Sequence, residues 1–241
     1  MTSADLPPET GPETAPETTL EAVAALEALG DPERAAGAAA YHKAKRRYLG
    51  VPVPQIDALV TPWRHALGIE ARLTLADALW QSDIHEARIA AARLLTQARI
   101  RPDDGAAWDL VASWVPQFDA WAIADHVAKA GERRLVADPT RLDQVEGWLE
   151  APNLWQRRAA LVFTLPWTKI RDPKPEDLAR RDRILGWAAR LAEGRDWFEQ
   201  KAVAWWIRDL SRHDAPRARA FLAQHGDTLK AFARKEAAQY L

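Results

Sequence analysis

Apolar residues recur every three or four positions along most of the chain, and no segment alternates apolar and polar residues as a half-buried strand does. This periodicity predicts thirteen helices, separated by turn-forming runs such as GDP at 30–32, GVPVP at 50–54 and RDPKP at 171–175. The predicted spans are 19–29, 32–47, 54–67, 70–82, 84–100, 104–115, 119–131, 139–150, 153–165, 175–193, 196–211, 215–224 and 227–240.

The predicted fold class is therefore all-α. Short helices joined by short connections pack as antiparallel neighbours, so stacked helical pairs, an α-solenoid, are the favoured architecture. The spacing between successive helices is too irregular for a strict repeat, which leaves a compact helical bundle as the second choice.

Residues 1–18 have a different composition, rich in Pro, Thr and Glu, with Leu6 as their one large apolar residue after Met1. Such a segment buries too little apolar surface to offset its ordering entropy, so we predict a disordered tail. The rest of the chain, 19–241, is predicted to form one helical domain.

Composition excludes several classes of site. Cysteine is absent, which removes disulfides, thiolate metal sites and cysteine nucleophiles. The six histidines show no HxH or HExxH spacing, so we expect no metal. No apolar run reaches the roughly 18 residues that span a bilayer, and no signal sequence is evident. We expect a cytoplasmic protein.

The net charge of −1 is unevenly distributed. Five of the 34 acidic residues and no basic residue lie in positions 1–21, so the remaining 220 residues carry 33 basic and 29 acidic side chains, a net charge of +4. An excess of this size indicates nucleic-acid binding only if the cations gather on one face.

The segment DAWAIADHVAK at 119–129 separates into two faces on a helical wheel of about 100° per residue. Its apolar stripe consists of Ala120, Ile123, Ala124 and Val127. Trp121 and Asp125, together with Lys129, lie on the other side. Trp121 points away from the core and precedes the carboxylate of Asp125 by one helical turn, so the two residues are a candidate functional pair. The plainer alternative is a partly covered surface Trp beside a solvated Asp.

Two further helices place polar or aromatic residues where the core pattern does not expect them. In LWQRRAALVFTL at 154–165, Arg158 projects into the apolar arc, so it must be paired or face a partner, whereas Arg157 projects elsewhere. In WFEQKAVAWWIRDL at 197–210, Trp205 points away from the core among Lys201 and Arg208, a mixture typical of nucleic-acid contact. A structural ion pair and second-layer packing are the respective alternatives.

A basic run, YHKAKRR at 41–47, ends the second predicted helix. Lys43, Arg46 and Arg47 either complement the helix C-terminus or contact phosphates, and the sequence does not separate these two interpretations.

Taken in order, these segments resemble the DNA alkylation repair family, the AlkD-type alkylpurine DNA glycosylases. The resemblance covers most of residues 20–240 and places the family's catalytic Trp-x-x-x-Asp on Trp121 and Asp125, its active-site arginine on Arg158 and its second tryptophan on Trp205. The family helix usually has Asp after the Trp, whereas this chain has Ala122. The segments that carry the likeness are AAYHKAKRRYLGVPVPQIDAL, DAWAIADHV, NLWQRRAALVFTL and FEQKAVAWWIRDLSR.

The resemblance implies a HEAT-like solenoid whose concave face binds duplex DNA, and hydrolytic excision of cationic purines such as 3-methyladenine and 7-methylguanine. Asp125 would stabilise the oxocarbenium-like sugar and orient water. Trp121 and Trp205 would hold the sugar and backbone, and Arg158 a phosphate. Lys43, Arg46, Arg47, Lys201 and Arg208 would add DNA affinity. No cofactor and a monomer are expected.

Two other functions remain open from the sequence. One is a non-catalytic helical-repeat protein that binds damaged or branched DNA, and the other is a protein–protein scaffold. A carboxylate beside a phosphate backbone is of no use to a pure DNA binder, so the Trp121–Asp125 pair favours the enzyme.

Overall fold

A computed structural model describes residues 15, 16 and 18–241. The predicted tail at 1–18 lies outside the described residues except at positions 15, 16 and 18. The described chain divides into two compact units, of which the first ends at Leu95 and the second runs from Thr96 to Leu241. The expectation of one domain over 19–241 stays a prediction.

Helices account for nearly all regular structure in the described ranges, where no β-strand occurs, and this confirms the all-α prediction. The first unit contains α1 (Thr19–Ala28), α2 (Pro32–His42), α3 (Val53–Ala66), α4 (Ile69–Gln81) and α5 (His85–Leu94). The second unit contains α6 (Gly105–Trp114), α7 (Trp121–Ala137), α8 (Leu142–Gly147), α9 (Leu154–Val162), α10 (Pro175–Glu193), α11 (Trp197–Ser211), α12 (Ala215–His225) and α13 (Ala231–Ala237). None of these helices is both long and apolar enough to cross a membrane.

In the first unit, α2 ends earlier than the sequence predicted. The helix ends at His42 rather than at residue 47, because Lys43 adopts the left-handed conformation with φ of 59°. The chain then runs extended, and the buried carboxylate of Glu86 accepts hydrogen bonds from the backbone N–H groups of Leu49 and Gly50, each at 2.8 Å. This long-range anchoring outweighs the local tendency of the basic run to continue the helix.

In the second unit, α7 packs against α9, and α9 packs against α11. Helix α7 continues to Ala137, beyond the predicted end at residue 131. Gly131 lies inside the helix because the ring of Phe163 occupies its side-chain space, where a Cβ would come within 1.9 Å of the ring. The close approach of α7 to the C-terminal end of α9 therefore depends on a missing side chain, and it sets the position of the two helices that carry Asp125 and Arg158.

Candidate functional site

Helix α7 presents the two faces predicted from the sequence. The side chains of Ala120, Ile123, Ala124 and Val127 are all buried. Trp121, Asp125 and Lys129 are only half-buried. The helix thus has an open stripe in which the tryptophan precedes the carboxylate by one turn.

Arg158 on α9 holds the Asp125 carboxylate from the core side. Its Nη1 donates to Oδ1 at 2.5 Å and its Nη2 to Oδ2 at 3.3 Å, a bidentate arrangement. The Arg158 side chain is 4% exposed and that of Asp125 is 25% exposed. The partner that the sequence required for Arg158 is therefore the candidate catalytic carboxylate itself. The pair fixes the orientation of the carboxylate and leaves one edge accessible to solvent.

Arg157, the neighbouring arginine, ties α9 to α11. Its Nε donates to Oε1 of buried Glu199 at 2.6 Å, and its Nη1 donates to the carbonyl oxygens of Ala151 and Pro152. These contacts make it a structural residue, as the distinction between Arg157 and Arg158 on the helical wheel implied.

Trp205 lies half-buried on α11, opposite a fully buried row formed by Val203, Trp206, Ile207 and Leu210. Its indole Nε1 donates to Oδ2 of Asp209 at 3.2 Å, which orients the ring. The predicted position of Trp205 outside the core is confirmed, and the sequence did not anticipate its anchoring by Asp209.

The two cations beside Trp205 are both neutralised. Lys201 and Arg208 form ion pairs with opposite oxygens of Glu236 on α13, and Arg208 also contacts Asp209. Their assignment to DNA contact stays a prediction, and it now requires phosphates to compete with Glu236.

The basic run of the first unit separates into exposed and buried members. Lys43 is exposed, and Arg47 is 59% exposed and pairs with Glu27 at 2.5 Å. The Arg46 side chain is 2% exposed and lies 3.5 Å from Asp83. Lys43 is exposed for a surface contact and Arg47 would have to leave Glu27 to make one, whereas the Arg46 side chain is buried beside Asp83.

The sequence interpretation overlooked Trp155 and Lys169. The half-buried ring of Trp155 lies 4.5 Å from that of Phe198 and 5.9 Å from the Arg158 guanidinium. Its spacing of three residues from Arg158 on one helix was the available signal. Lys169 follows α9 in a short 3-10 helix, and its Nζ lies 3.9 Å from Asp209. No periodic pattern marked it.

Acidic and imidazole side chains do not gather as metal ligands do anywhere in the described ranges, where no group of three or more is found. Direct contacts join the Asp125 carboxylate to Arg158 and the Arg158 guanidinium to Trp155, whereas the recorded side-chain contact of Trp205 is with Asp209.

A family model with the description "DNA alkylation repair enzyme" matches residues 22–241. A predicted DNA alkylation repair enzyme from Enterococcus faecalis has a TM-score of 0.68 at 23% identity, covering 88% of this chain and 96% of that chain. AlkD2 from Streptococcus mutans has a TM-score of 0.63 at 18% identity, covering 93% and 99%.

A third solved structure, smu.31 from Streptococcus mutans UA159, has a TM-score of 0.58 at 20% identity and covers 78% of this chain and 92% of that chain. At these identities the structural likenesses show a shared fold. Curated proteins gave no significant match.

Proposed function

Because the chain belongs to the DNA alkylation repair enzyme family, we propose that it is an alkylpurine DNA glycosylase. Its substrates would be cationic N3- and N7-alkylated purines in duplex DNA, such as 3-methyladenine and 7-methylguanine. The observation that carries this proposal is the Asp125 carboxylate, which buried Arg158 holds, which is 25% exposed, and which lies one helical turn after Trp121.

The chemistry requires little more than a fixed anion. A cationic purine leaves with the electron pair of its bond to C1′ and becomes neutral, so protonation of the leaving group is not needed. Positive charge develops on the deoxyribose as that bond breaks. A preoriented carboxylate stabilises this charge and positions the water that adds to C1′, whose proton passes to Asp125 or to solvent.

The indole rings complete the proposed site. Trp121 lies one turn before Asp125 on the same open stripe, where it can contact the sugar to which the carboxylate is directed. Trp205, oriented by Asp209, offers a second aromatic surface for the backbone, and both rings attract a cationic lesion through cation–π interaction.

The direct test is the variant Asp125→Asn, assayed on methylated duplex DNA for released 7-methylguanine and for bound DNA in the same samples. Removing a preorganised electrostatic group lowers turnover by about 10²- to 10³-fold, and we expect that loss with DNA binding retained. Asp227→Asn, at a fully exposed position on the loop after α12, is the matched control and should excise normally.

Unchanged excision in Asp125→Asn, with an intact circular dichroism spectrum, would refute the proposed role. If the unsubstituted protein binds damaged or branched DNA without releasing base, the non-catalytic DNA-binding function is the correct one. A scaffold protein would show no salt-dependent affinity for DNA.

A further inference from the structure

A cavity of about 560 Å³ opens in the second unit, away from Asp125. Its rim carries three cations from three different segments, and its floor is apolar. We name it the basic cavity, and the lining residues that matter are Arg99, Glu132, Arg133, Val136, Lys169 and Ile170.

Two of the three cations of the basic cavity have no side-chain partner in the described part of the chain. Arg99 and Arg133 are exposed, and neither forms an ion pair or a side-chain hydrogen bond with any residue in the described part of the chain. Lys169 is 3.9 Å from its nearest carboxylate, Asp209. This contrasts with Lys201 and Arg208, whose charges Glu236 neutralises. The rim is therefore prepared for an external anion.

The single acidic group among these lining residues is itself neutralised. Glu132 is largely buried, and its carboxylate lies 3.3 Å from Nζ of Lys129. It therefore does not cancel the field of the three rim cations, and the cavity keeps a net positive charge.

The basic cavity lies on the same open stripe of α7 as the candidate catalytic group. At about 100° per residue, Trp121, Asp125, Lys129, Glu132 and Val136 fall within an arc of about 80°. From Asp125 to Glu132 the helix rises about 11 Å, at about 1.5 Å per residue. The cavity is therefore the C-terminal continuation of the surface that carries Asp125.

The opposite wall of the cavity connects to Trp205. Lys169 reaches towards Asp209, and Asp209 accepts the hydrogen bond from the Trp205 indole. The cavity is thus related to Trp121 through the shared face of α7 and to Trp205 through the contacts of Asp209.

The mixture of groups in the cavity suits one class of ligand. Guanidinium and ammonium groups bind phosphate, whereas Val136, which is 56% exposed, and Ile170 offer apolar surface to the carbon atoms of a sugar. We propose that the basic cavity receives the sugar–phosphate backbone of a DNA strand, to one side of the nucleotide at Asp125. The inference rests on the proposed function, since it takes Asp125 as the position of the lesion.

The salt dependence of duplex binding tests the assignment. Each phosphate contact contributes about 0.9 to the slope of log K against log salt, which is about 3.5-fold in affinity over a fourfold change in salt. We expect Arg99→Ala/Arg133→Ala to make the slope shallower by about 1 to 2. Arg99→Lys/Arg133→Lys should keep the slope, because lysine also neutralises a phosphate. Arg219→Ala, an exposed arginine on α12, is the control and should also keep it.

An unchanged slope in the alanine double variant would overturn the inference. Thermal unfolding of each variant checks that it is folded. A general loss of structure would also change the salt slope of Arg99→Lys/Arg133→Lys.

Neutral methylphosphonates placed at successive positions around the lesion locate the contact. We expect binding to weaken most at positions to one side of the lesion, and this weakening to disappear in Arg99→Ala/Arg133→Ala. Equal weakening in both proteins would contradict the placement. Competition by inorganic phosphate as effective as competition by duplex DNA would show a free-anion site instead.

Failure of the proposed function gives a different result. A protein that releases no purine, yet whose salt slope still falls in Arg99→Ala/Arg133→Ala, binds DNA through the basic cavity without being a glycosylase.

Discussion

Replacing Arg158 by methionine separates two roles that the sequence and the structure assign to it. The family resemblance predicts that Arg158 binds a DNA phosphate. In the structure Arg158 instead binds the Asp125 carboxylate, with Nη1–Oδ1 and Nη2–Oδ2 distances of 2.5 and 3.3 Å. Methionine retains an apolar stem of similar length against Trp155 while it removes the charge and both donors. We expect it to impair the chemical step and leave the count of phosphate contacts unchanged.

The size of the effect follows from the pair. Hydrogen bonds to charged groups contribute about 1.5–3 kcal/mol each. The longer of the two contacts is weaker and Asp125 is partly solvated, so we take the pair as one such interaction. If transition-state stabilisation depends on this fixed orientation, its loss corresponds to a decrease of roughly 10- to 150-fold in excision rate at about 1.4 kcal/mol per factor of ten.

Single-turnover excision of 7-methylguanine, with enzyme saturating, measures this loss directly. Arg158→Met should slow excision in the otherwise unsubstituted protein and have no further effect in the Asp125→Asn background, because both substitutions remove the same interaction. The salt slope of duplex binding should not change. A slope shallower by about 0.9, with an unchanged rate at saturation, would refute the positioning role and support a phosphate contact.

Two further predictions concern stability. Gly131→Ala should destabilise the protein by about 2 kcal/mol, since overpacking against Phe163 outweighs the gain of about 1 kcal/mol in helix propensity. Gly186→Ala, with open space around it, should instead stabilise α10 by about 0.5–1 kcal/mol. Urea unfolding compares the two variants, and a change of the same sign in both would contradict the packing argument. Burial lowers the pKa of His42 from its ordinary 6.5, and the negative charge of Glu86 partly opposes this shift. The unfolded state therefore binds the proton more readily, so the protein loses stability as the pH falls through 6.5 towards the folded-state pKa. His42→Gln should flatten this part of the pH profile, and an unchanged profile would contradict it.

Local periodicity predicted the helices well, and its errors have long-range causes. All thirteen predicted helices have a counterpart, and every one except α2 buries apolar residues along one side. The end of α2 was wrong because Glu86, about 36 residues further along the chain, binds the N–H groups of Leu49 and Gly50. The end of α7 was placed too early because nothing local shows that Gly131 accommodates Phe163.

The candidate site shows the same division. The helical wheel placed Asp125 and Trp205 outside the core and required a partner for Arg158. It could not name that partner, since Asp125 lies 33 residues away on another helix. Nor could it foresee that Glu236, about 30 residues beyond α11's basic pair, neutralises Lys201 and Arg208. Single-helix patterns identify residues that need an explanation, and tertiary contacts supply it.

A carboxylate near a DNA strand poses an electrostatic problem that net charge does not solve, because the chain carries 34 acidic against 33 basic side chains. The distribution of ion pairs offers a solution. Arg158 offsets the charge of Asp125 where the two meet, and on the proposed function this lowers the repulsion between Asp125 and nearby phosphates. Attraction of the strand then falls to cations without protein partners, as at Arg99 and Arg133 in the basic cavity. On the proposed function, the catalytic anion and the DNA-binding cations occupy different positions in the second unit, so DNA affinity and excision should respond to different substitutions.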